Sequence, residues 1–163
     1  MKSRVIKAFV FSLVTAVSLL SSCGIKSSYF QKQVPIPNAK WEAKFMPAFA
    51  LDIQDTAAKY AFFLLVRHDE SYPNSNLWFR LKVKEPGAKT WTDGPRMEVD
   101  FANPDGQWLG RNMGSIWEYK VRLDPKSAPV FKHAGSYEMK VEQLMRYNPL
   151  PGVLNVGLII ERI

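Results

Sequence analysis

The chain predicts an all-β fold, a single antiparallel β-sandwich of immunoglobulin-like or jelly-roll connectivity, on three observations. Several runs alternate apolar and polar side chains with period two. Turn signals built on Pro, Gly, Asn and Asp separate them roughly every 8 to 15 residues. No comparable stretch places apolar residues at helical spacing, and seven or eight strands punctuated in this way fit a sandwich.

Taken in order, the first element is a leader. Lys2, Arg4 and Lys7 give a positive start, Ala8 to Leu20 an apolar run too short to span a bilayer with ordinary flanks, and Leu20-Ser21-Ser22-Cys23 closes it with small residues before the only cysteine of the chain. This is the pattern of a lipoprotein signal peptide over residues 1–22, in which the sulfur of Cys23 receives a diacylglyceryl group and the leader is cut ahead of it. Removing Lys2, Arg4 and Lys7 lowers the basic count from 22 to 19 against 15 acidic residues, so the net charge falls from +7 to +4. No Lys/Arg block of five or six follows, which disfavours a nucleic-acid partner. The expected partner is instead a lipid bilayer, held through acylated Cys23, and Gly24 after it is permissive for export to the outer membrane in many Gram-negative bacteria. With that sulfur acylated, no thiol remains for a disulfide, a zinc site or a nucleophile.

Residues 23–40, with Pro35 and Pro37, read as lipidated N-terminus and tether leading into an edge strand around Tyr29 to Val34, and residues 41–163 as the sandwich. Asp55 to Lys59 could form a short helical turn. Tyr60 to Val66 and Val153 to Ile160 are apolar on both parities, as in strands at the middle of a sandwich or beneath a partner. Leu77, Phe79, Leu81 and Val83 alternate with Trp78, Arg80, Lys82 and Lys84. Arg96 to Phe101, Trp117 to Leu123 and Ser136 to Gln143 repeat the pattern, with Met97, Val99 and Phe101 inward in the first and Trp117, Tyr119, Val121 and Leu123 inward in the second. Each is bounded by a turn signal, from Pro73-Asn74 through Glu85-Pro86-Gly87 and Asn103-Pro104-Asp105-Gly106 to Asn148-Pro149.

Catalytic chemistry is sparse. His68 and His133 share no ligand spacing, His68-Asp69-Glu70 reads as a solvated strand end rather than a metal site, and Asp100, Asn103 and Asp105 before Gly106 fit a Pro-Asp-Gly turn better than a calcium loop lacking its distal Glu. No phosphate-binding Gly-rich loop, Gly-x-Ser-x-Gly elbow or Ser-x-x-Lys motif occurs. No catalytic residue, metal or cofactor is therefore assigned, although carboxylates paired across strands stay open.

The aromatic residues are the stronger lead. Trp117 falls on an apolar face and is expected in the core, whereas Trp78 falls on a polar face and is either packed under a loop or in contact with glycan or protein. Trp41, Trp91 and Trp108 sit near turns. Trp78, Trp91, Trp108, Arg111 and Arg146 form the candidate interaction surface.

From Asn103 to Trp117 the chain reads Asn-Pro-Asp-Gly-Gln-Trp-Leu-Gly-Arg-Asn-Met-Gly-Ser-Ile-Trp. Together with Gly135-Ser136-Tyr137, Met145-Arg146, Leu150-Pro151-Gly152-Val153 and Val156-Gly157-Leu158, in that order and with the lipobox, this resembles the gliding-motility lipoprotein GldH family of Bacteroidota over nearly the whole mature chain. The resemblance implies an envelope lipoprotein of the gliding apparatus, associated with type IX secretion, and brings no enzymatic step, ligand or catalytic residue. It makes Trp108-Leu109-Gly110 and Met145-Arg146 candidates for shared architecture, as packed turns in which the arginine bonds backbone carbonyls or as contacts with a partner. The leading expectation is a non-catalytic lipoprotein docking on envelope proteins of the gliding or secretion machinery through a sheet edge or aromatic surface. A glycan-binding module is the alternative and requires Trp78 and Trp91 to line one groove. An enzyme ranks third.

Overall fold

The computed structural model describes residues 29–163; the leader and the lipidation site at Cys23 lie outside them. Twelve strands follow in chain order: β1 Phe30–Pro35, β2 Lys40–Trp41, β3 Ala48–Ile53, β4 Tyr60–Asp69, β5 Asn76–Lys84, β6 Thr92–Asp93, β7 Met97–Asp100, β8 Arg111–Asn112, β9 Ile116–Arg122, β10 Gly135–Gln143, β11 Leu150–Pro151 and β12 Val153–Arg162. Eight have four or more residues, and four are two-residue pairings. One sheet runs β1-β12-β4-β9-β8; the other runs β3-β10-β5-β6, with β7 also paired to β5, and β11 pairs β2. All pairings are antiparallel. The expected β-sandwich is the fold observed.

Period two explains the core directly. Phe49, Leu51 and Ile53 of β3, Leu77, Phe79 and Leu81 of β5, and Tyr137, Met139 and Val141 of β10 point into one buried cluster with Leu64, Val66, Val156, Leu158 and Ile160 of the facing sheet. Trp41, in the two-residue β2, is fully buried in the same cluster and donates its indole N–H to the Phe45 carbonyl at 2.8 Å.

The two segments apolar on both parities are β4 and β12, adjacent in the middle of their sheet. Their outward residues Ala61, Leu65 and Ile159 are 4%, 4% and 3% exposed. The cover comes from this sheet's own long side chains: Lys120 lies 4.2 Å from the centre of the Phe63 ring and pairs with Glu161, and Arg67 pairs with Glu118. Aliphatic stems roof the apolar strip while their charged ends stay in solvent.

The edge strand expected around Tyr29 to Val34 is β1, which pairs residue for residue with β12 from Phe30↔Ile160 to Pro35↔Asn155. Two expectations are corrected. Asp55 to Lys59 is a bend, not a helical turn; the Asp55 carboxylate accepts the Ala57 and Ala58 N–H groups and so closes an Asx-type turn. His68 is not solvated: it is 1% exposed and sits among aromatic rings at the end of β4.

Candidate functional site

The outer face of the β5 sheet carries the polar half of the alternation, Trp78, Arg80, Lys82 and Lys84. Register places Glu142 opposite Arg80, Lys140 opposite Lys82 and Glu138 opposite Lys84. Arg80 bonds Glu142 and Asp93, Lys82 bonds Asp93, and Lys84 bonds Glu138 at 2.9 Å. The Lys82 hydrogen bond is the main reason the Asp93 carboxyl titrates below the ordinary range. This ladder neutralises the middle of the face.

At the end of the sheet the β5–β7 pairing sets Glu98 opposite Trp78 and Asp100 opposite Asn76, and the Asn76 amide donates to the Glu98 carboxylate. Trp78, Arg96, Met145, Arg146, Tyr147, Asn74 and neighbouring residues line an open cleft of about 360 Å³. Three features of the chain build it. The 144–149 loop is pinned to the first turn of β5, since Leu144 N–H donates to the Trp78 carbonyl at 2.8 Å and Trp78 N–H points at the Met145 sulfur at 3.1 Å. Gln143, 3% exposed, organises the same loop from beneath: its carbonyl accepts the Met145 N–H at 2.8 Å and its amide reaches the Trp41 and Tyr147 carbonyls. Leu150-Pro151-Gly152-Val153 closes the loop onto β4. Gly152 has φ +79°, and a Cβ there would lie 2.3 Å from the Tyr72 nitrogen, so this position admits only glycine.

Within the cleft the Arg96 guanidinium sits 5.3 Å from the centre of the half-buried Trp78 ring, a cation–π arrangement. Arg146 is exposed, and neither arginine forms an ion pair among the described residues. The Asn74 side-chain nitrogen is buried without a hydrogen-bond partner at the cleft wall. No carboxylate or imidazole lines the cleft. Among the described residues no group of three or more His, Cys, Asp or Glu could hold a metal ion. The arrangement is suited to recognising a planar anionic group, such as a carboxylate, beside an aromatic or apolar one.

The predicted residues are thus only partly brought together. Trp78 and Arg146 share the cleft. Trp91 lies on the same sheet face but away from it, with the Lys140 ammonium 4.2 Å from its ring centre. Lys140 faces Lys82, four residues from Trp78, about 13 Å along the strand. Trp108 is half-buried against His68, ring centres 4.5 Å apart, and lies outside the cleft. The Gly110 that follows it leaves no room for a side chain, as a Cβ would meet the Glu118 carbonyl at 2.8 Å. Arg111 lies on the other sheet, at the edge strand β8, bound to Glu118 at 3.1 Å. Trp117 is half-buried on the inner side, stacked 5.9 Å from His68. Arg96, Asn74 and Tyr147 escaped the sequence reading, because each lies in a turn or at a strand end whose neighbours are set by pairing between distant segments.

The GldH lipoprotein family model matches residues 28–160. The gliding motility lipoprotein GldH homolog of Christiangramia forsetii is 30% identical over 160 residues, covering 94% of each chain. The gliding motility lipoprotein GldH of Flavobacterium johnsoniae is 30% identical over 157 residues, covering 92% of this chain and 94% of that protein. Among solved structures, the non-crystalline cellulose specific carbohydrate-binding module CBM28 aligns with TM-score 0.44 at 8% identity over 86% of this chain and 75% of the module. The Yersinia pseudotuberculosis-derived mitogen aligns with TM-score 0.35 at 12% identity over 84% and 86%. On the family match and the two full-length relatives, this chain belongs to the GldH lipoprotein family.

Proposed function

We propose that this protein is a lipid-anchored lipoprotein of the cell envelope, held through Cys23 and sorted to the outer membrane, that serves as a non-catalytic part of the gliding-motility machinery and its associated type IX secretion apparatus. Its two full-length relatives carry gliding-motility lipoprotein names, which supports the cellular role. The observation that supports the mode of action is the cleft in which Arg96 and Arg146, unpaired, flank the Trp78 indole. Arginine and tryptophan are the side chains most enriched at the energetic centres of protein interfaces, and an unpaired guanidinium accepts a partner carboxylate without first breaking an internal salt bridge. The partner segment accordingly offers a carboxylate to these arginines, beside the Glu98 and Asp100 carboxylates of β7.

The glycan reading asked Trp78 and Trp91 to share a groove, and Trp91 is not part of the cleft lined by Trp78. Protein docking is the reading carried forward.

The test is crosslinking and pull-down of the lipidated protein from its native membrane, with Cys23→Ser and Arg96→Glu/Arg146→Glu forms alongside. The Ser form should leave the membrane fraction; if it still pelleted, another anchor would hold the protein. The double charge reversal should stay on the membrane, keep its thermal midpoint and lose its crosslinked partner. Unchanged partner recovery would refute the cleft as the docking site.

A further inference from the structure

The two ends of the sandwich expose different chemistry, and the apolar end is the one where the described chain starts. Val130 and Ile163 are 70% and 65% exposed and line one open cavity of about 260 Å³ together with Tyr60. The Tyr29 ring packs edge-on to Tyr60, centres 5.3 Å apart. Ile163 is held at this end by its N–H bond to the Lys59 carbonyl, 2.9 Å. The same end carries Lys59, Lys126 and Lys132, all exposed and without an ion pair among the described residues. Of the nearby acids, Asp55 pairs with Arg162 and accepts two backbone N–H groups, Asp124 accepts the Lys126 N–H at 2.9 Å, and Glu85 lines one groove with Val130, Lys126 and Lys132, so among the described residues the three lysines outnumber the carboxylates left without an ion pair beside them, Glu85 and Asp124.

Cys23 precedes Tyr29 by six residues, a reach of at most about 22 Å. β4, ten residues from Tyr60 to Asp69, spans about 30 Å from this end to the other, where the Trp78 cleft lies. A lipid on Cys23 therefore keeps the Tyr29 end beside the bilayer. We propose that this end is a membrane-resting surface: Tyr29, Val130 and Ile163 enter the headgroup region of an anionic leaflet while Lys59, Lys126 and Lys132 meet lipid phosphates. The cleft is then presented on the far side of the domain, facing away from the lipid. The inference rests on the lipid anchor at Cys23.

The experiment uses the lipidated chain reconstituted into vesicles of phosphatidylethanolamine and phosphatidylglycerol. With the native cysteine acylated, Val130→Cys or, as control, Tyr147→Cys gives one free thiol for a fluorescent label. The vesicles carry a nitroxide on the lipid headgroup. Flotation is measured first. A chain that fails to float removes the anchor and this proposal with it. For a chain that floats, the Val130→Cys label should lose more than about half its emission and the Tyr147→Cys label almost none. Equal emission from the two sites would overturn the membrane-resting surface while leaving the anchor intact. A Val130→Cys label shielded from aqueous quencher but untouched by the nitroxide would overturn it too, in favour of a protein covering that end.

Discussion

Between pH 7.5 and 5.5, acid should destabilise this domain through His68. Its ring is 1% exposed, stacked 5.4 Å from Phe101 at an interplanar angle of 3° and 5.9 Å from Trp117, with Trp108 edge-on at 4.5 Å. Nδ1 lies 3.1 Å from the Asp69 carbonyl, which assigns the ring proton to that nitrogen, and Nε2 has no partner. Burial pushes the pKa below the ordinary 6.5, and the Asp69 carbonyl and carboxylate offset only part of that. The unfolded ring therefore takes up a proton at a higher pH than the folded one. The stabilisation is complete above about pH 6.5 and is lost as pH falls toward the folded pKa. A ring staying neutral throughout would forfeit about 1.4 kcal/mol between pH 7.5 and 5.5, the ceiling set by an ordinary histidine in the unfolded chain. For a domain of this length that is about 5 °C in Tm. The assay is thermal unfolding of the Cys23→Ser form across that pH range in a His133→Gln background, beside His68→Phe, which keeps a stacked ring and removes the titration. A Tm that falls equally in both proteins, or a His68 ring resonance titrating at or above 6.5, would refute the reasoning.

Two further changes probe the loop architecture. Gly152→Ala demands a left-handed backbone from an L-residue, about 1–2 kcal/mol, and drives a Cβ against the Tyr72 backbone, so a loss above about 3 kcal/mol is expected in urea unfolding. Gln143→Leu keeps volume but strands the Met145 N–H beneath the cleft, which should cost about 1–3 kcal/mol by the same measurement and speed amide exchange at Met145.

The long strands were legible because one face of each is dry. Burial of β10 and β5 alternates residue by residue, and that alternation is written in the sequence from Ser136 to Gln143 and from Leu77 to Val83. The doubly apolar segments were placed correctly at the sheet centre, but their cover was not legible, since Lys120 reaches Phe63 across a pairing between residues 57 apart in the chain. The four two-residue strands have too few positions to show a period. His68 misled for a related reason: its neighbours Asp69 and Glu70 look solvated, while the rings that bury it come from residues 101, 108 and 117. Of the candidate surface, Trp78 was visible as a large indole on a charged face. Its grouping with Arg146 required knowing that the loop after β10 folds onto the start of β5.

The proposed docking has two possible modes, strand addition at a sheet edge and side-chain recognition at the cleft. Adding a partner strand needs a long open edge: β6 and β8 have two residues each, whereas the edges at the other ends of the sheets are the six-residue β1 and β3, with the Tyr29 hydroxyl donating to the Asp52 carbonyl of β3 at 2.7 Å. The broad faces offer little, since Arg80, Lys82, Lys84, Glu138, Glu142 and Asp93 satisfy one another and Lys120, Glu161, Arg67 and Glu118 roof the opposite side. A partner gains little by replacing exposed ion pairs that already exist. At the cleft the balance differs, because among the described residues Arg96 and Arg146 form no ion pair and the buried Asn74 amide nitrogen has no hydrogen-bond partner. Under the proposed docking, a partner carboxylate at the cleft would pair with guanidinium groups that have no ion pair of their own, which the broad faces do not offer.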